Sequence, residues 1–231
     1  MSSKIVRGVY FDWDLTLGRI LGDVSIGHRL TVLFQRNGLD VSEAQVQAAI
    51  QQLRQDDDLP KPQTPPEIIA YYRQILSLCG IESISPAFGQ QLYDGYALLP
   101  NILYDDALPT LRKLATRPLS LGIISNHSVL ARETMSDLVG DIIPPERIII
   151  SDEVGWHKPA PAIYSLAAER MALPPASCVL VGDNPKVDAI AAVEVGGFQH
   201  GFWLDRTDSN GRDLPPYVTR LTTLHDLPNL L

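Results

Sequence analysis

The chain has 231 residues, enough for one large domain or for a core domain with a smaller insertion. Its composition, 45% hydrophobic and 20% charged, is that of an ordinary globular protein. The formal net charge of -8 argues against a general nucleic-acid binder, which needs clustered Lys and Arg to neutralise phosphates. The N-terminal segment lacks a secretory pattern and no apolar stretch is long enough to cross a bilayer, so we expect a cytoplasmic protein without membrane partners.

The first predicted element is a buried strand at residues 5 to 11, which is short and rich in β-branched and aromatic residues. It ends in two carboxylates, Asp12 and Asp14, whose side chains project to the same side of extended backbone. Two like charges at this spacing repel each other unless a cation or a shared proton relieves them. Mg2+ prefers oxygen ligands, so the pair indicates metal-assisted chemistry; the alternative is a polar turn that caps a core strand.

Residues 18 to 100 show several helical patterns and no convincing strand. Apolar residues recur at helical spacing in a first segment that ends at Asn37 and Gly38, a typical helix stop. Ser42 followed by Gln45 has the pattern of a capping box at the start of a second helix. Two further helices are expected before residue 100. We interpret this block as an inserted bundle of four helices.

From residue 108 onward, predicted helices alternate with short apolar strands. These strands are expected at residues 119–124, 147–150, 178–181 and 198–204, and the tail after them is expected to be loop-rich with a short closing helix. The alternation predicts an α/β fold with a doubly wound parallel sheet. Ligands bind such sheets outside the carboxyl ends of the strands. Polar residues follow four of the predicted strands, namely Asp12 with Asp14, Ser125 with Asn126, Ser151 with Asp152, and Asp183.

Four motifs in this order resemble those of the haloacid dehalogenase-like (HAD-like) hydrolase superfamily. They are Asp12-Trp13-Asp14-Leu15-Thr16, Ile124-Ser125-Asn126, Gly155-Trp156-His157-Lys158-Pro159, and Gly182-Asp183-Asn184 with Asp188. A helical block directly after the first motif is similar to the members with a small α-helical cap. The resemblance therefore implies a Rossmann-like core formed by residues 1–17 and 101–231, with an inserted cap domain at residues 18–100.

The resemblance implies a role in phosphoryl transfer for the residues of the first three motifs. Asp12 would be the nucleophile that forms an aspartyl-phosphate. Asp14 would protonate the leaving oxygen and then deprotonate the attacking water. Ser125 and the backbone amide of Asn126 would hold the phosphate, and Lys158 would balance the negative charge of phosphate and nucleophile.

The resemblance also implies a Mg2+ site. Asp12, Asp183 and the backbone carbonyl of Asp14 would hold the ion, and Asp188 would orient the catalytic lysine or the metal-bound waters. Thr16 would help to orient the first loop at the substrate, or would be only a turn hydroxyl.

These roles together imply a Mg2+-dependent phosphohydrolase that acts on a small phosphorylated metabolite. Two alternatives stay open: a sugar-phosphate mutase, which shares every motif, and a non-catalytic binding or regulatory protein on the same fold. A haloacid dehalogenase is disfavoured because those enzymes lack the carboxylate of Asp14. A phosphonate-cleaving enzyme would need a lysine in the inserted block, where Lys61 in a proline-flanked loop is the only one. The identity of the ester and the oligomeric state do not follow from the sequence.

Overall fold

The computed structural model describes residues 5–20, 25–54, 62–207 and 213–231. The chain divides into two compact units. The first, here called the core unit, contains Met1–Arg19 and Asn101–Leu231, and the second, the helical unit, contains Ile20–Pro100. Lys61, on which the phosphonate hypothesis depends, lies outside the described ranges. None of the helices within those ranges is long and apolar enough to cross a membrane.

The core unit is built on a six-stranded sheet with the strand order β5-β4-β1-β6-β7-β8, in which the neighbouring strands run parallel. A separate two-stranded sheet is formed by β2 and β3. The strands are β1 (Gly8–Phe11), β2 (Gly18–Ile20), β3 (Asn101–Leu103), β4 (Ser120–Ser125), β5 (Ile148–Ile150), β6 (Cys178–Gly182), β7 (His200–Leu204) and β8 (Val218–Leu221). Every residue of β1 is buried, as its continuous apolar run and its central place in the sheet require.

Helices connect the strands of the core unit and form the helical unit. In chain order the α-helices are α1 (Ile26–Arg36), α2 (Glu43–Leu53), α3 (Pro65–Leu78), α4 (Pro86–Ala97), α5 (Ala107–Ala115), α6 (Ala131–Val139), α7 (Ser151–Val154), α8 (Pro161–Arg170) and α9 (Ala191–Glu194). A π-helical turn, Pro185–Ile190, precedes α9, and 3-10 turns lie at Pro145–Arg147, Pro175–Ser177 and Leu224–Asn229.

An apolar cluster packs β1 and its neighbouring strands against the helices of the core unit. Tyr10 from β1 stacks on Phe198 with ring centroids 6.3 Å apart, and Tyr164 from α8 meets the same ring edge-on at 5.9 Å. The cluster also contains buried aliphatic residues of several strands and helices, among them Ile124, Ile149, Ile163 and Leu180. This packing makes the sheet a firm base for residues at its carboxyl edge.

The helical unit consists of α1 to α4 around its own apolar cluster, which contains Leu30, Leu33, Phe34, Val46, Tyr72, Ile75, Leu76 and Leu92. The predicted capping box is present at α2, where the Gln45 side chain accepts from the Ser42 amide at 2.9 Å and the Ser42 hydroxyl accepts from the Gln45 amide at 3.3 Å. Gly38 follows α1 with φ +81°, a left-handed conformation that ends helices and favours glycine.

The predicted fold class, a Rossmann-like parallel sheet with a helical insertion, is confirmed. Two details of the prediction are wrong. The strand β7 is not the last one, because β8 pairs with it at the sheet edge. β8 was missed because its two middle residues are only half-buried, so it lacks a continuous apolar run. Residues 18 to 20 form the short strand β2 rather than part of a purely helical block.

Candidate active site

Three strand ends of the core unit carry predicted site residues. β1 lies between β4 and β6 and runs parallel to both. Asp12 directly follows β1, Ser125 is the last residue of β4, and Asp183 directly follows β6. The Asp12 amide donates to the Val181 carbonyl of β6 at 2.8 Å, which ties this carboxylate to the neighbouring strand. The backbone itself therefore gathers these residues at the carboxyl edge of the sheet, where ligands bind in this class of fold.

A buried lysine joins two of the carboxylates. Lys158 lies between α7 and α8, and its Nζ is 2.7 Å from Oδ1 of Asp12 and 2.6 Å from Oδ1 of Asp188. The Lys158 side chain is only 2% exposed. Burial by itself lowers the pKa of Lys158, but the charges and hydrogen bonds of the two carboxylates outweigh burial and raise that pKa above its ordinary value. The ammonium is therefore a fixed positive charge beside Asp12.

Asp188 holds the other side of this lysine. Its Oδ1 accepts from Lys158, while its Oδ2 accepts from the backbone amide of Asn184 at 3.0 Å. It lies in the π-helical turn and packs against Gly182, where an added Cβ would come within 2.3 Å of the Asp188 carboxyl carbon. Because both of its oxygens accept hydrogen bonds within the protein, its geometry suits orienting Lys158 better than ligating an ion.

Asn126 fastens the loop after β4 to the lysine segment. Its Nδ2 donates to the Lys158 carbonyl at 2.8 Å, and its Oδ1 accepts from the Lys158 amide at 2.7 Å. Paired side-chain bonds to one residue's backbone fix two loops relative to each other. These two bonds use only the side chain of Asn126. The role in phosphate binding implied by the family resemblance uses the backbone amide of Asn126 instead. Ser125, directly before it, is buried.

Three carboxylates lie close enough to meet at one ion. One oxygen each of Asp12, Asp183 and Asp188 falls within 4.8 Å of the others. Since Asp188 is engaged by Lys158 and Asn184, Asp12 and Asp183 are the better candidate ligands. An all-oxygen donor set of this kind fits a hard divalent cation such as Mg2+ rather than a softer metal, which favours nitrogen or sulfur.

Burial and neighbouring charges act together on the Asp12 carboxyl. Burial raises the pKa of Asp12 well above its ordinary value, Lys158 opposes that rise, and the like charges of Asp188 and Asp183 add to it. The pKa of Asp12 is therefore raised mainly because the carboxyl is buried, and to a lesser degree because carboxylates surround it.

The Asp14 carboxylate lies outside this group of three. Its side chain is 29% exposed, and its Oδ2 is 3.6 Å from Nε2 of His127. His127 is buried, and its amide donates to the Ser151 hydroxyl at 3.0 Å. The more exposed position of Asp14 suits a group that exchanges protons with substrate and water. His127 was not selected from the sequence, although its place directly after Ser125 and Asn126 is a usable signal.

Thr16 is fully buried, and its amide donates to the Trp13 carbonyl at 3.2 Å. Its Oγ1 has no hydrogen-bond partner among the residues that the structure describes. Its hydroxyl is thus not part of the network around Lys158, and a contact between Thr16 and substrate stays a prediction.

Known proteins resemble this chain in sequence and in fold. The chain matches the family model described as haloacid dehalogenase-like hydrolase over residues 7–196. Haloacid dehalogenase-like hydrolase domain-containing protein 3 of Danio rerio is 26% identical over 240 aligned residues, which cover 96% of this chain and 95% of that protein.

Glyceraldehyde 3-phosphate phosphatase of Methanopyrus kandleri is 28% identical over 118 residues, 49% of this chain and 51% of that protein, so this match spans only about half of the relative. Among solved structures, the HAD-hydrolase YfnB of Bacillus subtilis, bound to magnesium, matches with a TM-score of 0.74 at 18% identity, over 98% of this chain and 99% of that one. At this identity the likeness establishes a common fold.

Proposed function

This chain belongs to the haloacid dehalogenase-like hydrolase family, and we propose that it is a Mg2+-dependent enzyme that hydrolyses small phosphate monoesters. The observation that carries the proposal is the contact of 2.7 Å between Lys158 and Asp12 at the end of the central strand. A carboxylate beside a fixed positive charge is suited to attack an anionic phosphoryl group, because the cation offsets the repulsion between them.

The proposed reaction has two half-reactions. In the first, an oxygen of Asp12 bonds to phosphorus while the bond from phosphorus to the ester oxygen breaks, and Asp14 gives its proton to that oxygen. In the second, Asp14 takes a proton from water as the water oxygen bonds to phosphorus, and the bond to Asp12 breaks. The alcohol and inorganic phosphate leave, and both carboxylates return to their starting states.

The remaining core residues would bind and neutralise the phosphoryl group. Lys158 contributes a buried charge that cannot be screened by water, while Ser125 and the amide of Asn126 would donate hydrogen bonds to phosphoryl oxygens. Asp188 would keep the lysine in place. Positioning and charge stabilisation of this kind supply most of the catalysis in phosphoryl transfer.

We propose that Mg2+ would be held by the carboxylates of Asp12 and Asp183 and by the backbone carbonyl of Asp14. When bound, the ion supplies positive charge that offsets repulsion between carboxylates and phosphoryl oxygens. The all-oxygen donor set supports this assignment, because one oxygen each of Asp12 and Asp183 lies within 4.8 Å of the other. The magnesium named for the Bacillus protein is compatible with this choice of ion.

The proposed substrate is a small phosphorylated metabolite, and the name of the Methanopyrus relative favours including a triose phosphate among the first candidates. We propose that the helical unit acts as a cap that selects the leaving group of the ester. A cytoplasmic location belongs to the same proposal, and nucleic acid and membrane are not expected partners.

The test is a screen of phosphate release from common metabolite esters, glyceraldehyde 3-phosphate included, with Mg2+. The Asp12→Asn variant serves as the blank, because the amide cannot act as nucleophile. We expect release that EDTA abolishes and that the variant lowers by at least about 10³-fold.

Release that persists both in EDTA and in Asp12→Asn would overturn the proposal. Isomerisation of a hexose 1-phosphate without free phosphate would identify a mutase instead. Chloride release from a 2-haloacid would identify a dehalogenase.

A further inference from the structure

The loop after Asp14 holds a residue in an uncommon backbone conformation. Leu15 has φ +60°, in the left-handed region that residues with a side chain rarely adopt. The amides of this loop are satisfied within it, because Thr16, Leu17 and Gly18 all donate to the Trp13 carbonyl and the Leu15 amide donates to the Gly18 carbonyl. Such a conformation persists only where surrounding groups hold it.

Arg206 binds the carbonyls of this loop. It lies two residues after β7, and its Nε donates to the Leu15 carbonyl at 3.1 Å while its Nη2 donates to the Thr16 carbonyl at 2.7 Å. One guanidinium thus bonds to the carbonyls of two consecutive peptide units, Leu15–Thr16 and Thr16–Leu17, and the first of these directly follows the left-handed residue. The two bonds fix the orientation of the backbone next to Asp14.

Arg206 is itself held in place by two side chains, those of Asp106 and Tyr104. Asp106 pairs with it bidentately, at 3.0 Å from Nη1 and 2.8 Å from Nη2. Tyr104 lies under the guanidinium, with 3.7 Å between its ring centroid and Cζ. Asp106 also accepts from the Thr223 hydroxyl and the Leu224 amide, each at 2.9 Å. A planar guanidinium locked in this way is a rigid support, since little side-chain freedom remains to be lost.

We propose that Arg206, held by Asp106 and Tyr104, is a positioning residue that keeps the loop of residues 13–18 in its catalytic shape. It does not touch the reacting atoms. It acts by holding the Leu15 and Thr16 carbonyls, and thereby the directions in which Asp12 and Asp14 project. The proposal rests on the proposed phosphohydrolase function, but its structural part can be tested without substrate.

The test compares Arg206→Met with Arg132→Met. Arg132 is a matched control because it also pairs with a carboxylate, Glu153, and also donates to two backbone carbonyls, those of Pro145 and Ile148. None of those partners belongs to the loop of residues 13–18. A purely structural role for a half-buried arginine therefore predicts similar effects for both variants.

We expect Arg206→Met to lower kcat about 10- to 100-fold, with KM little changed, since a displaced catalytic group costs this much in rate. Hydrogen exchange at the amides of residues 15–18 should become faster in Arg206→Met and stay unchanged in Arg132→Met. Arg206→Lys, which keeps the charge but not the planar fork, should recover only part of kcat. Thermal unfolding is measured for every variant, and Arg206→Lys replaces Arg206→Met if the latter does not fold.

Equal losses of kcat in Arg206→Met and Arg132→Met would overturn the proposal, and so would unchanged exchange at residues 15–18. If the wild-type protein hydrolyses no ester, the proposed function fails, while the exchange measurement still decides whether Arg206 holds the loop.

Discussion

The core unit and the helical unit bury different kinds of side chain. Among the described residues, eleven buried polar or charged side chains belong to the core unit and only two, Arg29 and Thr31, to the helical unit. The helical unit is held by a cluster of aliphatic and aromatic residues. Burying a charged side chain costs free energy even when the charge is paired. A helical bundle can therefore be stable with an interior that is mainly apolar.

Three of the buried charged side chains of the core unit, those of Asp12, Lys158 and Asp188, lie together at the candidate site. Lys158 is 2% exposed between two carboxylates, and the Asp188 side chain is equally buried. A core designed for stability alone would replace such a pair with apolar groups of similar volume. The two units therefore differ in the kind of packing that their interiors show, with paired charges at the candidate site of the core unit and mainly apolar contacts in the helical unit.

Lys158→Met should have the largest effect, because it removes the positive charge from the buried charged cluster of the core unit. It leaves Asp12 and Asp188 buried without their common partner, so we expect a loss of about 3–5 kcal/mol in the free energy of unfolding. It should also lower kcat by at least about 10²-fold. Denaturant titration and steady-state kinetics measure the two effects.

Lys186→Met is the matched control, because Lys186 is an exposed lysine in the neighbouring π-helical turn. Its cost should stay within about 0.5 kcal/mol. A Lys158→Met protein as stable as this control would mean that the buried pair has no energetic role.

Leu76→Ala tests the apolar packing of the helical unit. Leu76 is 1% exposed within the apolar cluster of the helical unit. Removing its side chain should cost about 2–5 kcal/mol in the free energy of unfolding, because a cavity remains. Leu78→Ala in the same helix, at a position that is 43% exposed, should be nearly neutral in thermal unfolding. Equal costs for the two variants would contradict the assignment of this cluster as the stabilising core.

Gly182→Ala should disturb the site without removing any charge. The added Cβ would lie 2.3 Å from the Asp188 carboxyl carbon, so the Asp188 side chain or the backbone at Gly182 must shift. We expect a loss of about 1–3 kcal/mol in the free energy of unfolding together with a lower kcat.

Gly95→Ala in α4 of the helical unit is its counterpart, because its Cβ would meet only side-chain atoms, at 3.3 Å or more. Alanine is preferred over glycine in helices, so this variant should be neutral or slightly stabilising. A Gly182→Ala protein with wild-type kcat would show that the position of Asp188 does not matter for turnover.

The smallest expected effect concerns pH and Asp106. Burial by itself raises the pKa of Asp106, but hydrogen bonds from Arg206 and the Leu224 amide outweigh burial and lower that pKa below its ordinary value. The carboxylate therefore adds stability above the pKa of an unfolded Asp, about 3.9, and that stability is lost as pH falls through the lowered folded value.

Asp106→Asn should therefore be less stable than wild type at neutral pH, and the difference should shrink as the pH falls below about 4. Asp105→Asn is the control, since the Asp105 side chain is fully exposed. A difference between wild type and Asp106→Asn that stays constant from neutral to acidic pH would contradict the assigned pKa shift.

Much of the fold follows from local sequence patterns. Continuous apolar runs such as Gly8–Phe11 and Cys178–Gly182 are typical of buried central strands, and the helices between them favour a parallel order. β8 was not predicted because Thr219 and Arg220 place two polar residues in the middle of this edge strand, and the resulting mixture of apolar and polar residues is also common in loops. The four-residue helix α7 is too short to show a helical period.

The candidate site was predictable where its residues directly follow strands. The sequence placed Asp12, Ser125 and Asp183 together because parallel strands end at one edge. The roles implied for Lys158 and Asp188 came from the family resemblance, since no local pattern shows that one ammonium bridges two carboxylates. The contact between Arg206 and Leu15 spans 191 residues, and only the folded chain reveals it.

The central claim is that Asp12 accepts the phosphoryl group. The most direct measurement is an acid quench during turnover of a phosphate-labelled ester, followed by peptic digestion at acidic pH, which preserves an acyl phosphate, and mass spectrometry of the peptide that contains Asp12. We expect one phosphoryl group on Asp12 in the wild-type protein and none in Asp12→Asn. Steady release of inorganic phosphate without any label on this peptide, or with the label on another residue, would contradict it.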